Sequence, residues 1–298
     1  MTEVLDNIST IGTNHDIQSS HIAPNSALPC SDSLWALPGS AIDEWSIGQY
    51  RYSSSFALCI ILSVTELHKI HQFLQTPCDM NDLEKMYEWQ TGAQRIDESL
   101  TMWREDFVAA VFRLINAESS HEMEPYVVLT NCVLNTAVIT LFQARSPCPA
   151  GIDKTTEPWS YATTRCVYAC ENMAHKIRRM SEDETRNCNP HLLYSIFVAA
   201  RFYIVYSKAL DADVPINLHS LAFALRTASV RWPLARCCET VIRTAVAEHR
   251  TPVETSSLPK EFYDLRYSSV EILDILLTWT QNCPPGMGIC DIGTENTE

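Results

Sequence analysis

The chain has 298 residues and carries 22 Lys and Arg against 36 Asp and Glu, a net charge of −14. That balance argues against gripping a phosphate backbone by charge, since such binding needs clustered cations. Apolar residues at 46% and charged residues at 19% describe a folded soluble protein with length for one large domain or two modest ones. With only 8 Gly, helix is favoured over hairpins and glycine-rich phosphate loops.

Residues 1–50 contain Glu3, Asp6, Asp16, Asp32, Asp43 and Glu44 and no Lys or Arg. With frequent Ser, Asn and Pro and no helical periodicity, they read as a disordered acidic arm. The first thirty residues also lack the cationic and apolar regions of a signal peptide, so the 12 Cys are expected to be reduced thiols of the cytosol or nucleus. Between Ser31 and Tyr50, Trp35, Leu37 and Trp45 stand among Asp32, Asp43 and Glu44. Acidic residues that keep aromatics solvated until a partner groove takes them make an activation segment; the alternative is a tail whose Trp residues dock back on the domain.

From Ser53 the period becomes helical. Phe56, Ile60, Val64, Leu67, Ile70 and Leu74 form one stripe that ends at Thr76-Pro77. Asp79 and Asn81 can cap a second helix through Leu83, Met86 and Trp89 toward Ile115, with Gly92 as a candidate break. Tyr126 to Phe142 is apolar nearly all round; its β-branched residues suit a strand, but its length favours a central buried helix. Neither Phe56–Thr65 nor Pro125–Ala144 needs a membrane: the first is too short to span one, and the second carries Asn131, Asn135, Thr136 and Thr140. After a loop over Arg145–Asp153, a helix near Glu157-Pro158 aligns Ala162, Cys166, Cys170, Met173 and Ile177. An acidic loop of Glu182, Asp183 and Glu184 follows. Asn189-Pro190 opens a strongly apolar helix to Leu210, Pro215 another, and Trp232-Pro233 the next. A last helix is expected over Phe262–Thr280, and residues 283–298 read as a disordered tail. The fold class is all-α, a multi-helix bundle-like domain over residues 51–282.

The catalytic templates are not met. G-x-S-x-G, the phosphate loop and G-x-G-x-x-G are missing, and no C-x2-C occurs. His68 and His71 lack a second ligand pair, and Glu84 stands where a calcium loop begun at Asp79 needs Gly. Glu171 and His175 lack the carboxylates of a di-iron bundle. On an amphipathic helix, Cys237 and Cys238 are most simply one core and one boundary residue. Catalytic, cofactor and metal residues are therefore expected to be none.

Arg201 interrupts the apolar run from Ile196 to Tyr206, so its helix buries the stem, and a buried guanidinium needs acceptors. An internal carboxylate, from Asp264, Glu271 or Asp274 on the final helix, is the favoured partner. A cap on helix-terminal carbonyls and a ligand carboxylate are the alternatives.

Asn189-Pro190-His191-Leu192-Leu193-Tyr194-Ser195-Ile196-Phe197-Val198-Ala199-Ala200-Arg201-Phe202, then Leu218 to Leu225, then Arg231-Trp232-Pro233-Leu234-Ala235, resembles the closing half of the fungal-specific transcription factor domain. That domain is the helical middle homology region of binuclear zinc-cluster regulators. Leu100-Thr101-Met102-Trp103, the Glu124-Pro125 helix and the basic Cys166 helix are similar in order to its earlier part. The resemblance, over about residues 50–250, implies the regulatory and effector region of a nuclear, non-enzymatic activator of RNA polymerase II transcription. It further implies a homo- or hetero-dimer with a DNA-binding regulator, contact with coactivator machinery, a possible small-molecule effector, and no membrane. The zinc cluster of such regulators, six Cys with two C-x2-C pairs beside a basic patch, is not matched at this N-terminus. No direct DNA binding by this chain alone is therefore expected, and zinc only if a missing N-terminal six-Cys cluster exists. An all-α enzyme or an apolar small-molecule-binding protein is the alternative.

Overall fold

Two apolar helices organise the molecule. In a computed structural model that describes residues 2–13, 15–16, 59–60, 62–76, 83–118, 125–145 and 159–282, every residue from Val127 to Phe142 and from Leu192 to Val205 is buried. These belong to helix α4 (Pro125–Phe142) and helix α7 (Pro190–Ala209). Both are long and apolar enough to cross a membrane by length and composition, but 89% and 83% of the relevant windows lie inside the protein, as in core helices. The described residues contain helices and no strand.

The β-branched run of α4 stays helical because its polar side chains bond to the helix's own carbonyls. Thr130 Oγ1 donates to the Tyr126 carbonyl at 2.7 Å, Thr136 Oγ1 to Cys132 at 2.9 Å, and Asn135 Nδ2 to Asn131 at 2.8 Å. Such a helix can enter the core on all sides without orphaned donors. α5 (Trp159–Ile177) packs against both α4 and α7 through Ala162, Cys166, Ala169, Cys170, Met173 and Ile177. α8 (Ile216–Ala228) and α9 (Pro233–Ala247) close the other side of α7.

Several boundaries differ from the sequence expectation. Thr2–Thr10 is helix α1, and Ile8 and Ile11 are 4% and 2% exposed, so residues 2–13 belong to the helical body instead of an arm. The spacing of Val4, Ile8 and Ile11 is a helical stripe too short to stand out from the surrounding Ser and Asn. Gly12 then turns at φ +75°, where a Cβ would collide with Thr140 Cγ2 on α4, and Gln75 Nε2 donates to the Thr13 carbonyl at 2.5 Å. The rest of the expected arm, with Trp35 and Trp45, lies outside the described residues, as does the tail 283–298.

A π-helical turn over Ser63–Leu67 leads into α2 (His68–Leu74). α3 runs unbroken from Leu83 to Glu118. Gly92 does not break it: a Cβ there would sit 2.6 Å from Phe73 Cε2, so the missing side chain lets α2 approach. The expected acidic loop is instead the short helix α6 (Glu182–Arg186). Its Ser181 hydroxyl accepts from the Glu184 amide while the Glu184 carboxylate accepts from the Ser181 amide. The expected last helix is divided: a 3-10 turn covers Lys260–Tyr263, and α10 begins only at Ser269 and runs to Asn282.

Candidate functional site

Arg201 on α7 is 0% exposed and is the largest fully buried side chain among the described residues. Its Nε donates to the Phe262 carbonyl at 2.9 Å. Nη1 donates to the Tyr267 carbonyl at 3.0 Å and Ser269 Oγ at 3.4 Å, and Nη2 to the carbonyls of Asp264 at 2.6 Å and Glu261 at 3.3 Å. The favoured carboxylate partner is thus corrected. The Asp264 carboxylate holds Arg266 at 2.6 Å, Glu271 caps α10 by accepting from the Ser268 amide at 2.9 Å, and Asp274 is exposed. The cause lies in the split of the last helix: residues 261–267 form a turn whose carbonyls point inward, and a guanidinium fork can satisfy several of them at once. Burial pushes the Arg201 pKa down to about 10, partly offset by Tyr194, Asp264 and Glu271, so it stays cationic near neutral pH. All five of its donors are engaged within the chain, which leaves none for a ligand carboxylate.

One turn pair further along α7, Lys208 performs a similar service. Its Nζ donates to the His249 carbonyl at 2.7 Å and to the carbonyls of Glu248 and Thr251 at the end of α9, and it lies 5.2 Å from the Tyr263 ring centroid. The Glu248 carboxylate in turn accepts from the Ser257 amide at 2.9 Å and the Ser256 hydroxyl at 2.7 Å. Residues 248–269 therefore form a strap latched from beneath by two cations of one helix. Beside it, Val253, Lys260, Tyr263, Asp264, Leu265 and Arg266 line an open surface cleft of about 440 Å³.

A polar joint that the sequence reading missed connects α3 to α5. Asp97 is 2% exposed; Tyr161 Oη donates to its Oδ2 at 2.5 Å and Arg165 Nη2 to its Oδ1 at 2.6 Å. Burial, then the bond to Asp97, raises the Tyr161 pKa well above the ordinary phenol range. Arg104 on α3 reaches across to Asn135 Oδ1 of α4 at 2.9 Å. The signal was an acid inside the apolar stripe Ala93, Asp97, Leu100.

The described cysteines are buried free thiols. Burial pushes Cys59 and Cys188 up to about 11 and Cys132 up to about 12, and raises Cys166 and Cys170 as well. Cys237 and Cys238 are raised too, so this pair is held as thiol on the inner side of α9. A folded-state pKa above the unfolded value of 9.0 means that the stability tied to protonation is fully present below that value and is lost as pH rises from there through the folded values, about 11 for Cys59 and about 12 for Cys132. The melting temperature is accordingly expected to fall steadily above about pH 9, with the thiols unreactive toward a disulfide reagent until unfolding; a flat melting temperature from about pH 8 to 11 would contradict this. Among the described residues, no three His, Cys, Asp or Glu side chains converge as metal ligands. His71 is buried and its pKa lowered by that burial, and His68 lies beside it on α2.

Large apolar side chains are exposed on several helices. On α3, Met102 and Phe112 are 62% and 67% exposed; on α8 and just past it, Ile216, Phe223 and Val230 are 81%, 57% and 72% exposed. The α8 anchors recur every seven residues opposite the core stripe Leu218, Leu221 and Leu225, a pattern visible in the sequence once the core face is known.

Comparison with known proteins yields no matching family model and no matching solved structure. The chain is 41% identical over 279 residues to the notoamide biosynthesis cluster transcriptional coactivator of Aspergillus versicolor. That alignment takes in 94% of this chain and 46% of the relative, so the chain spans about half the length of the curated relative it matches.

Proposed function

We propose that the chain is the helical effector region of a fungal transcription regulator, a non-enzymatic coactivator acting in the nucleus on RNA polymerase II transcription. The observation that carries this reading is the 41% identity over 279 residues to a fungal transcriptional coactivator. The resemblance of residues 189–235 to the middle homology region of zinc-cluster regulators points the same way. The charge of −14 supports action through proteins, since duplex DNA would be repelled unless a DNA-binding partner, or a zinc cluster outside this chain, made the contact. Pairing with such a partner is part of the proposal. The segment 31–50, with Trp35 and Trp45 among acids, is proposed to recruit the transcription machinery by burying those rings. A small-molecule effector is not expected at Arg201, which has no donor left; the open cleft beside Lys260 and Arg266 is one alternative place for it.

Fused to a heterologous DNA-binding module, the full chain is expected to activate a reporter, and Trp35→Ala with Trp45→Ala to remove most of that activity. Equal reporter output from the double variant would contradict the assignment of the segment, and no output from either fusion would contradict activation by this chain.

A further inference from the structure

The α8 face combines three exposed apolar anchors with a set of guanidinium groups, an unusual concentration in a chain of net charge −14. Arg178, at the end of α5, donates to Asn217 Oδ1 at 2.6 Å and to Ser220 Oγ at 3.2 Å, which fixes it along one flank of α8. Arg226 lies on the exposed side of the last turn, one turn from Phe223. Arg236 Nη2 reaches the Ser229 carbonyl at 3.4 Å. Arg231 bonds Asn187 Oδ1 and stacks 5.2 Å from the Trp232 ring centroid, so both surround Val230. Among the described residues none of these four pairs with a carboxylate. α6, which packs on α8, carries the exposed acids Glu182, Asp183 and Glu184; Glu184 accepts from Ser181 and Asp183 Oδ1 from Asn187 Nδ2, and none of the three bonds to these guanidinium groups. Ile216 and Phe223 are seven residues apart, about 10 Å along the axis at 1.5 Å per residue, a spacing that a short amphipathic segment can bridge.

We propose that this face, Ile216, Phe223 and Val230 framed by Arg178, Arg226 and Arg236, docks an acidic peptide segment bearing large apolar side chains from a partner protein. The proposal deepens the coactivator reading and rests on it for the existence of a partner. Charge complementarity selects the occupant. The apolar side chains of the peptide would pack on Ile216, Phe223 and Val230, its acids would meet guanidinium groups that lack a carboxylate partner, and a cationic segment would meet repulsion. A nucleic acid would match the arginines but offer nothing to Ile216 and Val230 and would feel the overall negative charge. On α3, by contrast, Met102 and Phe112 stand among the exposed Glu98, Glu105 and Asp106, which disfavour the same ligand.

The test uses the full chain with three fluorescent probes: an acidic peptide interspersing Leu and Trp with Asp and Glu, its counterpart with Lys for every acid, and a short DNA duplex. Binding of the acidic peptide, weakened by salt, is expected. Arg226→Glu with Arg236→Glu, and separately Ile216→Ala with Phe223→Ala, should each weaken it at least tenfold with an unchanged melting temperature. Met102→Ala with Phe112→Ala should leave it as it was. Preference for the Lys peptide or the duplex overturns the proposal, as does acidic-peptide binding that ignores both α8 variants. The same variants are then placed in cells. If removal of the whole chain lowers target transcripts while the α8 variants support them normally, the docking proposal fails and the coactivator reading stands. If removal changes no transcript, that reading fails, whatever the peptide does.

Discussion

Arg201→Met is expected to be the most damaging single substitution in the chain, reducing soluble folded protein or lowering the melting temperature by ten degrees or more. The change removes the guanidinium from the carbonyls of Glu261, Phe262, Asp264 and Tyr267. Glu261 and Asp264 keep backbone donors within the turn and Tyr267 keeps Gln143 Nε2, while Phe262 loses its buried donor. Hydrogen bonds from a charged donor contribute about 1.5 to 3 kcal/mol each, so losing several of them together with one stranded acceptor is a large share of the stability of a typical domain, about 5 to 15 kcal/mol. Arg201→Lys should recover only part, since an ammonium offers three donors in place of a five-donor fork. Because the bonds run to carbonyls, adding Asp264→Asn to Arg201→Met should give no recovery. Recovery in that double variant would restore the ion-pair account, and a fully folded Arg201→Met protein would contradict both.

The second large effect is expected at Asp97. Truncation to Ala leaves Arg165 and Tyr161 facing each other without their shared acceptor. Removing one partner of a buried ion pair costs about 3 to 5 kcal/mol. The Arg165 side chain is 21% exposed, so water can compensate part of its loss, and the expected effect sits near the lower bound. At about 2 to 4 °C per kcal/mol for a domain of this size, thermal unfolding should come roughly 6 to 12 °C earlier. Tyr161→Phe, which removes one donor and leaves the ion pair, should cost about 1 kcal/mol. A calorimetric scan of Asp97→Ala within a degree of the unaltered protein would show that the α3–α5 joint adds nothing to stability.

These two sites mark where the sequence was informative and where it was not. Helical periodicity placed α5, α7, α8 and α9, with Pro in the first turn of α7 and α9 and at the N-cap of α8, because there the start signal and the core-facing stripe agree. The burial of Arg201 also followed from the apolar run around it, since a cation in such a stripe has no exposed face to occupy. Its partners did not follow. Carbonyls carry no residue identity, and a turn that presents several of them inward has no sequence signature, whereas nearby acids attract attention by type. The same limit hid Lys208, whose acceptors are the terminal carbonyls of α9. Gly92 misled for a related reason: its need is the close approach of Phe73 from another helix, a tertiary fact that looks locally like a helix breaker. The α1 helix was lost in the composition of its surroundings, because the buried Ile8 within it and Ile11 just past it carry little weight among Ser, Thr, Asn and Asp until the core is there to receive them.

The coactivator reading stands or falls in the cell. The most direct measurement is the set of transcripts that change when this chain is removed from its fungal host and then restored. The account expects a coordinated fall in the transcripts of a co-regulated gene set on removal and full recovery with the intact chain. Unchanged transcripts on removal, together with a measured catalytic turnover by the purified chain, would contradict it.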